Sequence, residues 1–328
     1  MTKALLYEIK KQIPYLLFAT ISLVLINWLS FNDFTYINEY NPNIIPTSPL
    51  FIYAIYGGIL TLCSTGGYLF KMSKLHADLY LQLPIKKEKI YLIHYLVGIV
   101  KILIPITLAY LSTVLQISLH ENLYDMLPAL PYYFVLILCL ISLYTIFSFA
   151  FTRCSNPADG GLNILAYMFI LSLVLSTIYY LFNFDLGFKG FVFEPLTILT
   201  KKYLIYMNGG FEVFSTPEIV SLIVWSIITI ILGFLMFYLI RYDKTEDTMQ
   251  ISKTWFGPKT MFPTITICSI ILYVHDELFF LPLIGIIIIM YGLYSIHSKN
   301  FKIGKKNAFI FISSILIGLI IAIIKNLL

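Results

Sequence analysis

Residues 219–240 read IVSLIVWSIITIILGFLMFYLI. No side chain in this run carries a charge. Wound as an α-helix at 1.5 Å per residue, the run is about 33 Å long, close to the ~30 Å depth of a bilayer's hydrocarbon core. It therefore reads as a membrane-spanning helix. The rest of the chain agrees. Of 328 residues, 59% are hydrophobic and 12% charged, against about 25% charged in a soluble domain. One globular core cannot absorb a mean hydropathy of +0.87. The expected fold class is all-α, a polytopic integral membrane protein.

Working outward from 219–240, the other apolar runs place spans over 14–30, 50–70, 91–116, 132–152 and 161–182. Pro105 marks an expected kink in the third. After a polar stretch come three more apolar segments, at 261–274, 280–296 and 308–324. Residues 1–12 form an amphipathic interfacial helix, with Leu5, Leu6 and Ile9 toward lipid and Lys3, Lys10 and Lys11 toward headgroups. The first apolar run is too long for a signal-peptide core and has no small-residue cleavage site after it, so it reads as a retained span.

Loop charges orient the spans. Lys3, Lys10 and Lys11 precede the first. Lys71, Lys74, Lys86, Lys87 and Lys89 lie between the second and third, and Arg153 between the fourth and fifth. Arg241, Lys244, Lys253 and Lys259 follow the sixth, and Lys299, Lys302, Lys305 and Lys306 follow the eighth. With alternating spans, all fall on one side. The opposite loops carry Asp33, Glu39, Glu121, Asp125, Asp276 and Glu277. Only the fifth-to-sixth loop breaks the pattern, with Lys189, Lys201 and Lys202. The positive-inside rule then predicts a multi-pass cell-membrane protein with a cytoplasmic N-terminus. The formal net charge of +5 is thus a topology signal, and no nucleic-acid partner is expected.

The densest basic cluster follows a short helical patch, KLHADLYLQLPIKKEKIYL, residues 74–92. Leu75, Leu79 and Leu83 share one helical face, and His76, Asp78 and Gln82 lie on others. Pro84 ends that helix, and Lys86, Lys87 and Lys89 then meet the inner headgroups. The pattern suits a small helix held out to a cytoplasmic protein. It equally suits a plain positive-inside loop.

This stretch resembles the cytoplasmic loop after the second span in ABC-2 type permeases, the membrane subunits of one class of ABC transporters. The matching residues are Asp78, Leu79, Leu83, Pro84, Lys86, Lys87 and Lys89. The order of elements to about residue 240 is similar too. The chain adds about three C-terminal hydrophobic segments, as do longer permeases of low-GC Gram-positive bacteria. The resemblance implies a six-span permease core over 13–240, with a coupling loop at 71–90 and an outer element at 183–218. A cytoplasmic connector at 241–260 and further membrane segments at 261–328 would follow. It implies an exporter of a peptide, antimicrobial or envelope-related amphipathic compound. The chain itself would be no enzyme and carry no cofactor, with ATP and Mg on a separate cytoplasmic ABC ATPase. Leu75, Asp78, Leu79, Gln82, Leu83 and Pro84 would engage that ATPase, and a second permease copy or a related permease would complete the pair. In keeping with that division, no G-x-x-x-x-G-K-[ST] phosphate loop occurs in the chain.

Four further features have two readings each. Lys101 lies deep in the third span. It is either a path or lipid-headgroup contact, or a lysine snorkelling to the inner face from a long helix; the second is the favoured expectation. Gly57, Thr61 and Thr65 recur at every fourth position of the second span, a stripe suited to close helix packing. Glu194, Lys201 and Lys202 lie in an aromatic-rich outer segment, a candidate outer gate or an interfacial anchor. Cys63, Cys139 and Cys268 lie in apolar runs and Cys154 in a short polar loop, without metal or redox spacing. Two other classes compete with the exporter. A membrane-embedded enzyme of lipid or cell-wall precursor metabolism needs convergent acid, base, nucleophile or metal groups. An ion-coupled carrier needs intramembrane carboxylates, and the spans drawn here contain no Asp or Glu.

Overall fold

The computed structural model describes residues 2–40, 49–72, 85–119, 129–154, 157–182, 195, 198, 214–242, 258–273, 284, 288, 291–292 and 305–327. Among them are nine α-helices, one 3₁₀ helix and no strand. The helices are α1 (Thr2–Lys11), α2 (Ile13–Tyr40), α3 (Pro49–Thr65), α4 (Lys87–Leu119), α5 (Ala129–Thr152), α6 (Pro157–Phe182), α7 (Thr216–Ile240), α8 (Pro258–Tyr273) and α9 (Lys305–Leu327); the 3₁₀ helix, Gly66–Met72, continues α3. Each of α4, α5, α6, α7 and α9 holds a stretch long and apolar enough to cross a membrane, and α1 with α2 makes a sixth candidate bent by 48°. The protein is therefore a helical chain suited to repeated membrane crossing.

Local chemistry explains most boundaries. Proline opens α3 at Pro49, α6 at Pro157 and α8 at Pro258, where its missing N–H costs nothing and its fixed φ suits the first turn. At α7, the Ser215 amide donates to Glu218 Oε2 at 2.7 Å, satisfying one of the donors that a helix start leaves open. Lys10 and Lys11 sit in the last turn of α1, where the helix dipole favours cations.

Three boundaries depart from the sequence reading. The membrane-crossing stretch of α2, Ile13–Leu29, matches the first drawn span, but the helix itself runs on to Tyr40, because no glycine or proline intervenes before Pro42. The second span is not α-helical to Phe70. It turns 3₁₀ at Gly66 and Gly67, where paired glycines weaken the α ladder. The helix of the third span, α4, starts at Lys87 and ends at Leu119, with Pro105 inside. Of the eighth span only Ile284, Ile288, Tyr291 and Gly292 are described, all helical.

The chain divides into two compact units. The first comprises Met1–Leu69, Leu79–Ser148 and Pro195–Tyr242. In it α4 packs against α1, α2, α3 and α7. Its core joins Ala19 and Leu23 of α2, Tyr53, Ala54 and Leu60 of α3, Ile102, Ile106 and Ala109 of α4, and Leu136, Leu140 and Tyr144 of α5. Polar contacts tie the helices together as well. Asn27 Nδ2 donates to Thr113 Oγ1 at 2.8 Å, and the Tyr53 hydroxyl bonds both Thr113 Oγ1 and the Ala109 carbonyl. Tyr95 Oη meets Thr145 Oγ1 at 2.7 Å, and Tyr133 Oη meets Thr107 Oγ1 at 2.7 Å.

The second unit comprises Phe70–Asp78, Phe149–Glu194 and Asp243–Leu328, so the fifth span groups with the segments after residue 260. There α8 packs on both α6 and α9. Gly318 lies close enough to α8 that a Cβ would stand 3.1 Å from Ile270 Cβ. The turn after α5 is closed by the Arg153 amide donating to Ala150 O and the Cys154 amide to Phe151 O.

Helix ends that the loop charges assign to one side lie together within each unit. In the first, Arg241 after α7 pairs with Glu88 of α4 at 3.0 Å. At the opposite ends, Tyr132 of α5 lies 5.7 Å in ring-centroid distance from Phe214, just before α7. In the second, Lys71 Nζ donates to the Thr152 carbonyl at 2.5 Å.

Candidate functional site

The entry into α4 is built on a lysine. Lys86 serves as the helix cap, its carbonyl accepting from the Lys89 amide at 2.9 Å and the Ile90 amide at 3.3 Å. Lys86 and Lys89 are exposed and Lys87 is half-buried, so three ammonium groups surround the first turn. Glu88, also in that turn, is favoured there by the helix dipole. Its pair with Arg241 is largely exposed and contributes about 0–1 kcal/mol. What it fixes is position, since it holds the end of α7 beside the start of α4. Leu75, Asp78, Leu79, Gln82, Leu83 and Pro84 lie outside the described residues, as do Glu194, Lys201 and Lys202.

Lys101 is 9% exposed. Its Nζ sits 4.7 Å from the centroid of the Tyr15 ring. Helical side chains lean toward the N-terminus of their helix, and Tyr15 is the third residue of α2, just past the bend with α1. The ammonium thus leans toward the end of the unit where α1 and α2 join and rests against the half-buried Tyr15 ring. A cation over an aromatic face gains about 0.5–2 kcal/mol, well short of the desolvation cost of a buried charge. The Glu8 carboxylate of α1 is near enough for its charge to act on Lys101, and Cys63 of α3 lies nearby.

Gly57 packs against α5: a Cβ there would stand 2.6 Å from a Leu140 methyl. Thr61 and Thr65 are buried, and their hydroxyls donate to the carbonyls of Gly58 and Leu62, each at 2.6 Å. Their hydrogen-bonding capacity is thus met within α3.

Sequence reasoning passed over two groups. One is Tyr15 with Cys63, whose relation to Lys101 depends on three helices meeting. The other is the turn after α5 in the second unit, where Arg153, Cys154, Asp159 and Asn163 are all buried. Asn163 Nδ2 donates to Cys154 Sγ at 2.7 Å. Burial first, and the Asp159 carboxylate second, push the Cys154 thiol up to about 12. It stays protonated, and therefore poorly nucleophilic, throughout the neutral range. A visible signal for this group existed: Arg153, Asp159 and Asn163 are the polar residues bracketing a short turn between two apolar helices. Among the described residues, no three His, Cys, Asp or Glu side chains gather as a metal site would.

Comparison of the chain with protein-family models, with curated proteins and with solved structures finds no match.

Proposed function

We propose that the chain is the membrane-spanning permease subunit of an ATP-driven exporter, moved by a separate cytoplasmic ATPase that grips residues 74–83. The observation that carries the reading is where that stretch leads. Residues 78–89, DLYLQLPIKKEK, feed directly into the cap of α4, the helix against which α1, α2, α3 and α7 all pack. A force applied to this stretch therefore enters the first unit through a helix that reaches its core. ATP binding on the partner does useful work only if it favours one arrangement of the complex over another. A loop joined to α4 gives the partner a means to impose that preference. The cargo class implied is an amphipathic peptide, antimicrobial or envelope compound. ATP and Mg would be held by the ATPase, and a second permease copy or a related permease would complete the pair.

Co-expression with the neighbouring genes, followed by purification through a tag on this chain, tests the proposal. An ATPase subunit should co-purify in the wild type. Leu79→Glu with Leu83→Glu should cut its recovery at least about tenfold, because an apolar contact face would then have to bury two charges. Unchanged recovery in a variant that still melts like the wild type would exclude the assignment.

A further inference from the structure

Lys101, a residue 9% exposed, lies within a candidate span, and among the described residues it forms no ion pair. An aromatic face offsets only part of such a charge, and buried ammonium groups are normally met by an anion. Glu8 acts on it electrostatically without coming within ion-pair distance.

The surroundings indicate where an anion comes from. Tyr15 is half-buried and Cys63 is exposed, so these two form an open rim beside the lysine. Tyr15 lies next to the 48° bend that separates the lysine-bearing α1 from α2, the level at which an amphipathic helix meets headgroups. Near Tyr15 in the chain Leu17, Phe18 and Ile21 of α2 are exposed, as are Ile59 and Leu62 of α3 near Cys63. They give acyl chains a surface and give a water-borne ion none.

We propose that Lys101, beside Tyr15, holds the phosphate of an anionic phospholipid headgroup from the leaflet in which α1 lies. Headgroup binding needs no ATPase, so the proposal stands or falls independently of the transport reading.

Cys63 supplies the reporter, since Cys139, Cys154 and Cys268 are buried. Full-length protein in detergent micelles is supplied with phosphatidylglycerol, phosphatidylcholine or inorganic phosphate. N-ethylmaleimide labelling of Cys63 is followed by mass spectrometry. Phosphatidylglycerol should slow labelling about tenfold relative to phosphatidylcholine, whose phosphate is already neutralised by its own choline cation. Lys101→Met should erase that difference, and Lys101→Arg should keep it. Native mass spectra should show one fewer retained phosphatidylglycerol in Lys101→Met. Equal protection by the two lipids in the wild type overturns the proposal without need of any variant. So does protection that survives Lys101→Met, and so does inorganic phosphate protecting as well as the lipid.

Discussion

Two glycines show how unequal the demands of close packing are. A Cβ on Gly98 of α4 would stand 1.8 Å from Tyr144 Oη and 2.2 Å from its Cζ. Tyr144 is wholly buried, stacked on Tyr95 at 5.4 Å, and cannot retreat. The clash at Gly57 falls on the methyl ends of Leu140, which can rotate away. Gly98→Ala is therefore expected to lower stability by the ~1–3 kcal/mol typical of overpacking, or more, and Gly57→Ala by clearly less. Thermal melting of each variant in detergent checks the ranking, and equal melting points would refute it. Little of this was legible in the sequence. Gly57 drew notice because it repeats with Thr61 and Thr65, whereas Gly98 sits in an ordinary apolar run and its partner is far along the chain. The same holds for Lys101. Its burden as a buried charge was plain, but not Tyr15 beneath it, because no local spacing links the two.

Between helices, the polar contacts matter as much as the apolar ones, since lipid gives apolar faces little reason to prefer one another. Thr113 is the junction of three helices: it accepts from Asn27 of α2 and bonds Tyr53 of α3 while belonging to α4. Thr113→Val keeps the shape and removes both bonds. The expected loss is about 1 kcal/mol, modest because the disordered state in detergent finds substitute partners. It should appear as a lower melting temperature that Thr113→Ser largely restores. Failure of serine to restore it would show that packing, not the hydroxyl, is what α4 contributes there. The elements themselves were largely legible, because a bilayer demands some twenty apolar residues per crossing. The helix ends were not. FNDFTYINEY, residues 31–40, reads as a polar loop by composition, yet it contains no breaker and stays helical. In the second span the reverse occurs, with apolar Tyr68 to Phe70 leaving the α-helix after two glycines.

At the scale of the molecule, alternating loop charge leads to a geometric expectation that the helix ends respect. Arg241 and Glu88 meet at one end of the first unit, Tyr132 and Phe214 at the other. Single cysteines placed at Lys86 and Arg241 should therefore react with an impermeant maleimide from the same side of the membrane. One at Ser215 should react from the opposite side. In intact cells of a cysteine-free background only Ser215→Cys is expected to label. Any labelling of the other two would reverse the assigned orientation. Grouping of the fifth span with the C-terminal segments could not be read from the sequence, because hydropathy says which runs are buried in lipid and nothing about which neighbour each chooses. The length of α4 carries one more consequence. Its 33 residues extend about 50 Å, whereas a helix leaning at the steep limit of ~40° threads only about 39 Å of hydrocarbon. Some ten ångströms of it must stand clear of the oil, like a piling above a waterline. If the lysine-rich tip is the part that emerges, whatever docks there finds a stiff post already in place, not a slack strand to be ordered first.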